Sequence, residues 1–195
     1  MHVESKFLKN NLGKTFFEGP ISIIPKAYKD ERGFFMESWN ESDFLKIIEK
    51  KITFVQDNHS FSYKGVLRGL HYQIPPYAQG KLVRCIKGEV FDVAVDIREN
   101  SDTFGTWVGI NLKSNLNNQI WIPEGFAHGF YTLSKTADVL YKTTNYWAKD
   151  FERSLNWNDP LLDIDWPILG NDTLLSKKDA EAPFLNKYSF EYFKK

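Results

Sequence analysis

The sequence predicts a mainly β fold, a sandwich or barrel of short antiparallel strands, on three observations. Short β-type runs recur between turn residues from Ile21 to Tyr146. Lys87-Gly88-Glu89 separates two alternating runs, as a short hairpin loop containing glycine does. In Phe91-Asp92-Val93-Ala94-Val95-Asp96-Ile97 one face is apolar throughout while the other carries Asp92 and Asp96, the period-two pattern of a strand.

In chain order, residues 1–19 are polar and mixed and read as an arm that is ordered only if something docks it. Strands are expected over Ile21–Ile24, Gly33–Trp39, Thr53–Asn58, Val66–Gln73 and Lys81–Ile86. Further strands follow over Val90–Arg98, Thr106–Lys113, Gln119–Pro123, Gly129–Leu133 and Asp138–Tyr146. The one clear helix inside this region spans Ser42–Lys50. There Phe44, Ile47 and Ile48 share a face at helical spacing, and Asn40 or Ser42 can cap it. After Asp150 the chain turns to short irregular runs of Trp, Pro, Asp and Lys, then to a helical stretch from Ser176, its expected N-cap. With 195 residues the chain suits one domain: arm 1–19, core 20–150, and tail 151–195 packing on the barrel.

Composition narrows the function. Lys+Arg and Asp+Glu are both 25, so no net positive field draws the chain to nucleic acid or anionic lipid. Any basic residues that hold an anion must therefore be locally placed. Cys85 is the only cysteine, which excludes an intrachain disulfide framework. The N-terminal residues carry no apolar signal-peptide region, and no run reaches the ~18 apolar residues a membrane span needs, so a cytoplasmic protein is expected. Aromatic residues, 16 % of the total, fit a β-rich core or stacking surfaces in a ligand site.

Two of the four histidines stand in informative contexts. His128 ends Pro123-Glu124-Gly125-Phe126-Ala127-His128, which is similar to the second half of the cupin signature, a jelly roll that often holds a metal. The first half of a cupin site adds a His-x-His pair and a carboxylate. Here that stretch reads His71-Tyr72-Gln73, and two histidines without a third ligand make a poor transition-metal site. Acid–base work suits them better, because imidazole titrates near neutral pH. By residue type alone His71 is more often a core histidine bonded to backbone. Arg68 and Lys81 crowding the same apolar segment argue for an anionic ligand, since buried cations need partners.

Strand parity sharpens these candidates. Lys81 is in phase with Val83 and Cys85; it either points inward to meet an anion or snorkels to water from the strand start. Arg68 and His71 have opposite parity, so lining one cavity together requires a bulge near Gly69. Tyr141 and Tyr146 also differ in parity, and only one phenol can face His71 as a proton donor.

The chain resembles the dTDP-4-dehydrorhamnose 3,5-epimerase family from about Ile21 to Leu185. The matching segments are Asp30-Glu31-Arg32-Gly33-Phe34-Phe35, Phe54-Val55-Gln56-Asp57-Asn58-His59-Ser60 and Val66-Leu67-Arg68-Gly69-Leu70-His71-Tyr72-Gln73. Ala78-Gln79-Gly80-Lys81-Leu82-Val83-Arg84, Phe91–Arg98 and Ile122–Phe130 follow, then Trp157-Asn158-Asp159-Pro160 and Leu175-Ser176-Lys177-Lys178-Asp179. Residues before about Asn10 have no counterpart in the family pattern, and the spacing from Pro167 to Ser176 is longer by about one residue. The resemblance implies a cupin-like antiparallel jelly-roll barrel with a short N-terminal helix and an irregular, partly helical C-terminal tail.

It also implies a homodimeric isomerase with no metal and no organic cofactor, acting on a dTDP-sugar. By resemblance His71 is the base, Asp179 its dyad partner, Tyr141 the acid, and Lys81 the stabiliser of the enolate oxygen. Arg32, Glu37, Gln56, Asn58, Arg68, His128, Glu152 and Lys178 fall at substrate-binding positions. Arg32 and Glu37 come from the neighbouring subunit, and Tyr146 and Trp147 sit where aromatic contact with thymine is expected. The implied reaction inverts C3 and C5 beside a C4 ketone and serves dTDP-L-rhamnose synthesis, with a bacterial surface polysaccharide as the natural destination. The alternative is a relative that inverts C3 only, which shares the base, lysine and tyrosine. The match across Gln56–Ser60 and Ala78–Arg84 favours the double epimerase. A cupin-like 3,4-ketoisomerase fits less well, and a non-catalytic sugar-binding module has no use for the His/Lys/Tyr set.

Overall fold

The computed structural model describes residues 3–168 and 173–185. Its strands are β1 (Val3–Phe7), β2 (Ile21–Pro25), β3 (Ala27–Asp30), β4 (Gly33–Met36), β5 (Gln56–Tyr63), β6 (Leu67–Gln73) and β7 (Lys81–Lys87). They continue as β8 (Glu89–Asp96), β9 (Trp107–Lys113), β10 (Gln119–Ile122), β11 (Phe126–Thr132), β12 (Thr136–Thr143) and β13 (Glu152–Ser154). Two antiparallel sheets face each other, ordered β1-β2-β10-β7-β12-β5 and β13-β6-β11-β8-β9, while β3 and β4 form a separate hairpin. The expected mainly β architecture is therefore the one that forms. Between the sheets lies an apolar core of Val83, Val90, Ala94, Leu112, Ile120, Phe130 and Val139 with their neighbours.

The N-terminal arm is docked. β1 adds to the β2 edge in register from Val3↔Pro25 to Phe7↔Ile21. Phe16 enters the core edge-on to Phe126, and Arg98 donates to the Phe17 carbonyl at 2.9 Å. Backbone pairing and one buried ring thus order a segment whose composition alone would leave it loose. The run expected over Gly33–Trp39 shortens to β4 and belongs to the hairpin, not to either main sheet.

Helix α1 spans Glu41–Ile48, and Asn40 is its cap, its side chain accepting from the Asp43 N–H. It covers the outer face of the larger sheet with Phe44 packed on Ile21, Ile23, Leu82 and Trp121. β5 lies later than the expected Thr53–Asn58. Its inward positions are polar (Gln56, Asn58, Ser60, Ser62) and Phe61 and Tyr63 face out, the reverse of the pattern that locates a strand from its apolar side. β12 ends at Thr143, so Tyr146 lies beyond the strand.

β8 carries a second reversal. Its apolar face (Phe91, Val93, Val95) points away from the barrel onto the C-terminal tail, where Leu155, Leu162, Trp166 and Leu185 cover it. Asp92 and Asp96 consequently point between the sheets and are fully buried. The tail carries the short helix α2 (Lys177–Ala180), capped by Ser176 as expected. The longer spacing between Pro167 and Ser176 includes residues 169–172, and the continuation after 185 likewise lies outside the described residues. No helix among the described residues is long and apolar enough to cross a membrane.

Candidate active site

The site begins with a bulge. β6 pairs with β11 at His71↔His128 and again at Arg68↔Phe130, so three residues of β6 advance against two of β11. The extra residue falls at Gly69, whose φ is +124°. A Cβ there would stand 2.5 Å from the Gly129 Cα and 2.8 Å from the His128 carbonyl oxygen, so only glycine fits. Because of the bulge Leu67, Leu70 and Tyr72 all pack outward under the tail, and Arg68 and His71 turn to the other, inner face.

His71 Nε2 donates to Asp179 Oδ1 at 2.5 Å. The imidazole is 30 % exposed while the carboxylate is only 4 % exposed, so the ring is reachable and its partner is sealed behind it. α2 places Asp179, whose backbone N–H is held by the Ser176 hydroxyl at 3.1 Å. Burial raises the Asp179 carboxyl, but hydrogen bonds from His71, Ser176 and the Gly69 N–H outweigh it and leave it below its ordinary range. An ionised Asp179 fixes the proton of neutral His71 on Nε2 and leaves the Nδ1 lone pair free to accept one.

Lys81 opens β7 and is 7 % exposed, which decides between the two orientations its parity allows: it points inward. Its Nζ donates to the His71 carbonyl at 3.2 Å. Burial pushes its ammonium down to about 8, against the opposing pull of Asp92 and Glu152. His128, opposite His71 on β11, gives Nε2 to Asp92 Oδ2 at 2.9 Å, and burial lowers its pKa despite that carboxylate. Each histidine thus has one ring nitrogen on a carboxylate, and among the described residues no group of three His, Cys, Asp or Glu is arranged to hold a metal ion.

Of the two phenols, Tyr141 is the inward one. It packs beside the Val139 core, and burial raises its pKa although the Arg68 charge pulls the other way. Arg68 is held by the Ser62 hydroxyl at 3.0 Å and the Phe61 carbonyl at 3.0 Å, both from β5. Gln56 donates to Asn58 at 2.8 Å and accepts from the Trp147 N–H at 2.9 Å, tying β5 to the loop that carries the exposed rings of Tyr146 and Trp147. Glu152 on β13 pairs with Lys178 on α2 at 2.7 Å. The charges of Arg68 and Glu152 act on Tyr141, and those of Asp92, Glu152 and Lys178 act on Lys81, so the fold brings these groups near one another.

Arg32 and Glu37 do not join them. Arg32 lies at the tip of the β3–β4 hairpin, exposed and, among the described residues, paired with Asp30, and Glu37 contacts Asn40. Two contributors escaped the sequence reading. Gln73 donates to the carbonyls of Tyr77 and Tyr146 and accepts from the Ala148 N–H, bracing the loop beneath the aromatic pair. Asp92 stood out only as the polar face of a strand; a carboxylate in phase with apolar barrel residues was the available signal.

Residues 14–187 match a family model described as dTDP-4-dehydrorhamnose 3,5-epimerase. A curated relative of that name from Shigella flexneri is 57 % identical over 172 residues, covering 88 % of this chain and 94 % of the relative. The solved dTDP-6-deoxy-D-glucose-3,5-epimerase of Legionella pneumophila, in complex with dTDP-4-keto-L-rhamnose, superposes with a TM-score of 0.84 at 49 % identity and 93 % coverage of both chains. A 3'-monoepimerase from Streptomyces bikiniensis, in complex with dTDP-quinovose, gives 0.80 at 32 % identity, covering 85 % of this chain and 83 % of that one. Sequence and barrel agree, and the chain belongs to the dTDP-4-dehydrorhamnose 3,5-epimerase family.

Proposed function

We propose that this enzyme inverts C3 and C5 of dTDP-4-dehydro-6-deoxy-D-glucose, giving dTDP-4-dehydro-L-rhamnose for rhamnose synthesis, with His71 as base and Tyr141 as acid. The observation that carries this reading is the His71–Asp179 dyad, a partly exposed imidazole held by a sealed carboxylate, with the buried Lys81 ammonium bonded to the backbone carbonyl of that same histidine. A C4 ketone acidifies the hydrogens on C3 and C5. His71 Nδ1 takes one of them, the C–H electron pair moves into the C4 oxygen, and Lys81 meets the developing enolate charge. The Tyr141 O–H returns a proton to the same carbon from the opposite face as the enolate collapses to the ketone. His71 and the phenolate then re-equilibrate with water, and a turn or flip of the sugar ring presents the second carbon.

Binding follows from the same residues. Arg68 and Lys178 supply cationic groups for diphosphate, and Gln56, Asn58, His128 and Glu152 supply polar contacts to the substrate. The exposed Tyr146 and Trp147 offer a stacking face for thymine. Arg32 and Glu37 complete the site of a second copy in a homodimer. Supporting this is their place on and after an exposed hairpin whose Phe34 and Phe35 also lie open, a surface suited to burial between subunits. No cofactor is required by this chemistry, and a charged nucleotide sugar, which does not cross a bilayer unaided, supports a cytoplasmic location. The likeness to a 3'-monoepimerase supports a second reading, inversion at C3 alone.

Deuterium labelling separates the readings. Turnover in deuterium oxide should place label at both C3 and C5. Label at C3 alone establishes the second reading, and no exchange on any keto-sugar nucleotide overturns both.

A further inference from the structure

Asp92 is fully buried between the sheets, yet only half of its carboxylate is used. Oδ2 accepts from His128, while Oδ1 has no hydrogen-bond partner among the described residues. A buried anion left half satisfied is costly unless its charge serves something nearby. Lys81 is the cation geometry brings to this place: its Nζ donates to the carbonyl of His71, which pairs across the strands with His128, the residue Asp92 holds, and it forms no ion pair among the described residues. We infer that Asp92 is a positioning residue, whose buried charge keeps Lys81 an ammonium and whose Oδ2 fixes Nδ1 as the free nitrogen of His128.

The inference rests on the epimerase reading for its consequence, since Lys81 can answer the enolate only while protonated. Several charged or titratable groups surround Lys81. They are Asp92 from β8, Glu152 from β13, Lys178 from α2, His128 from β11 and, through its carbonyl, His71 from β6. Asp92 heads the opposing influences on the lysine's burial, ahead of Glu152, while Lys178 works against protonation. Glu152 is already paired with the Lys178 ammonium, whereas Asp92 shares Oδ2 with a histidine and keeps Oδ1 unshared among the described residues.

The test is the pH profile of kcat/KM in Asp92→Asn and Asp92→Glu. Activity should fall as pH rises through the Lys81 value of about 8. In Asp92→Asn that alkaline limb should move to lower pH by roughly one unit or more, and Asp92→Glu should return it toward the wild-type position. A limb that stays in place while kcat falls would make Asp92 merely structural and overturn the inference. If Asp92→Asn does not fold, the wild-type protein still decides. Mass-spectrometric readout of Lys81 acylation against pH, which needs no substrate, should show a midpoint near 8. A midpoint at roughly 5–6, the value of buried lysines without a counter-ion, overturns the inference. Because this second measurement is independent of turnover, it also distinguishes failure of the Asp92 role from failure of the epimerase reading.

Discussion

Replacing Asp179 with asparagine removes one negative charge and changes almost nothing else in shape. In the native site His71 Nε2 donates to that carboxylate at 2.5 Å, with the carboxylate sealed from water. When His71 accepts a substrate proton, the bond becomes charge-assisted, worth about 1.5–3 kcal/mol. At about 1.4 kcal/mol per decade, losing it slows proton abstraction by roughly 10- to 100-fold. The amide adds a second penalty. Its NH2 can turn toward Nε2, which makes that nitrogen the acceptor and puts the imidazole proton on Nδ1, where the base must be empty. Together the two effects should lower exchange at C3 and C5 by about 10²–10⁴-fold, the range expected for a positioned general base. NMR detection of deuterium entering the substrate measures this directly. Exchange within tenfold of wild type in a folded Asp179→Asn protein would refute the dyad. Stability offers a parallel reading. The folded carboxyl titrates below its ordinary range, so its stabilising contribution is complete above the unfolded carboxylate pKa and disappears as pH falls through the lower folded value. The melting-temperature gap between wild type and Asp179→Asn should therefore close in acid.

Tyr141→Phe should leave exchange by His71 within about tenfold of wild type while net inversion drops by 10²-fold or more, the contribution of a positioned acid. Tyr146→Phe should not show that split; if it does, the inward phenol has been misassigned. Gly69→Ala puts a methyl 2.5 Å from the Gly129 backbone at a positive φ. It should cost about 1–3 kcal/mol in chemical denaturation and separate Arg68 from His71, lowering activity further. Co-expressed Arg32→Ala and His71→Asn chains should recover about a quarter of wild-type activity through mixed dimers, each variant alone being nearly inactive. No recovery on mixing would place Arg32 outside its neighbour's site.

Much of this protein is legible in one dimension because strand periodicity and local motifs are properties of consecutive residues. The alternation of Phe91–Ile97 marks β8, Asn40 and Ser176 announce helix starts, and the opposite parity of Arg68 and His71 demands the bulge that Gly69 supplies. Periodicity reports that two faces differ, but not which neighbour each face meets. It placed β5 early because the polar face of that strand turns inward to the site, and it could not tell that the apolar face of β8 belongs to the tail. The docked arm depends on a free edge at β2, which exists only once the sheet is assembled. His71 was a candidate from sequence alone. Tertiary structure decided that Asp179, 108 residues later in the chain, lies within hydrogen-bond reach behind it, and that Asp92 is buried beside His128. Those contacts join residues distant in sequence, and only packing the tail across the outer face of the barrel brings the first of them together.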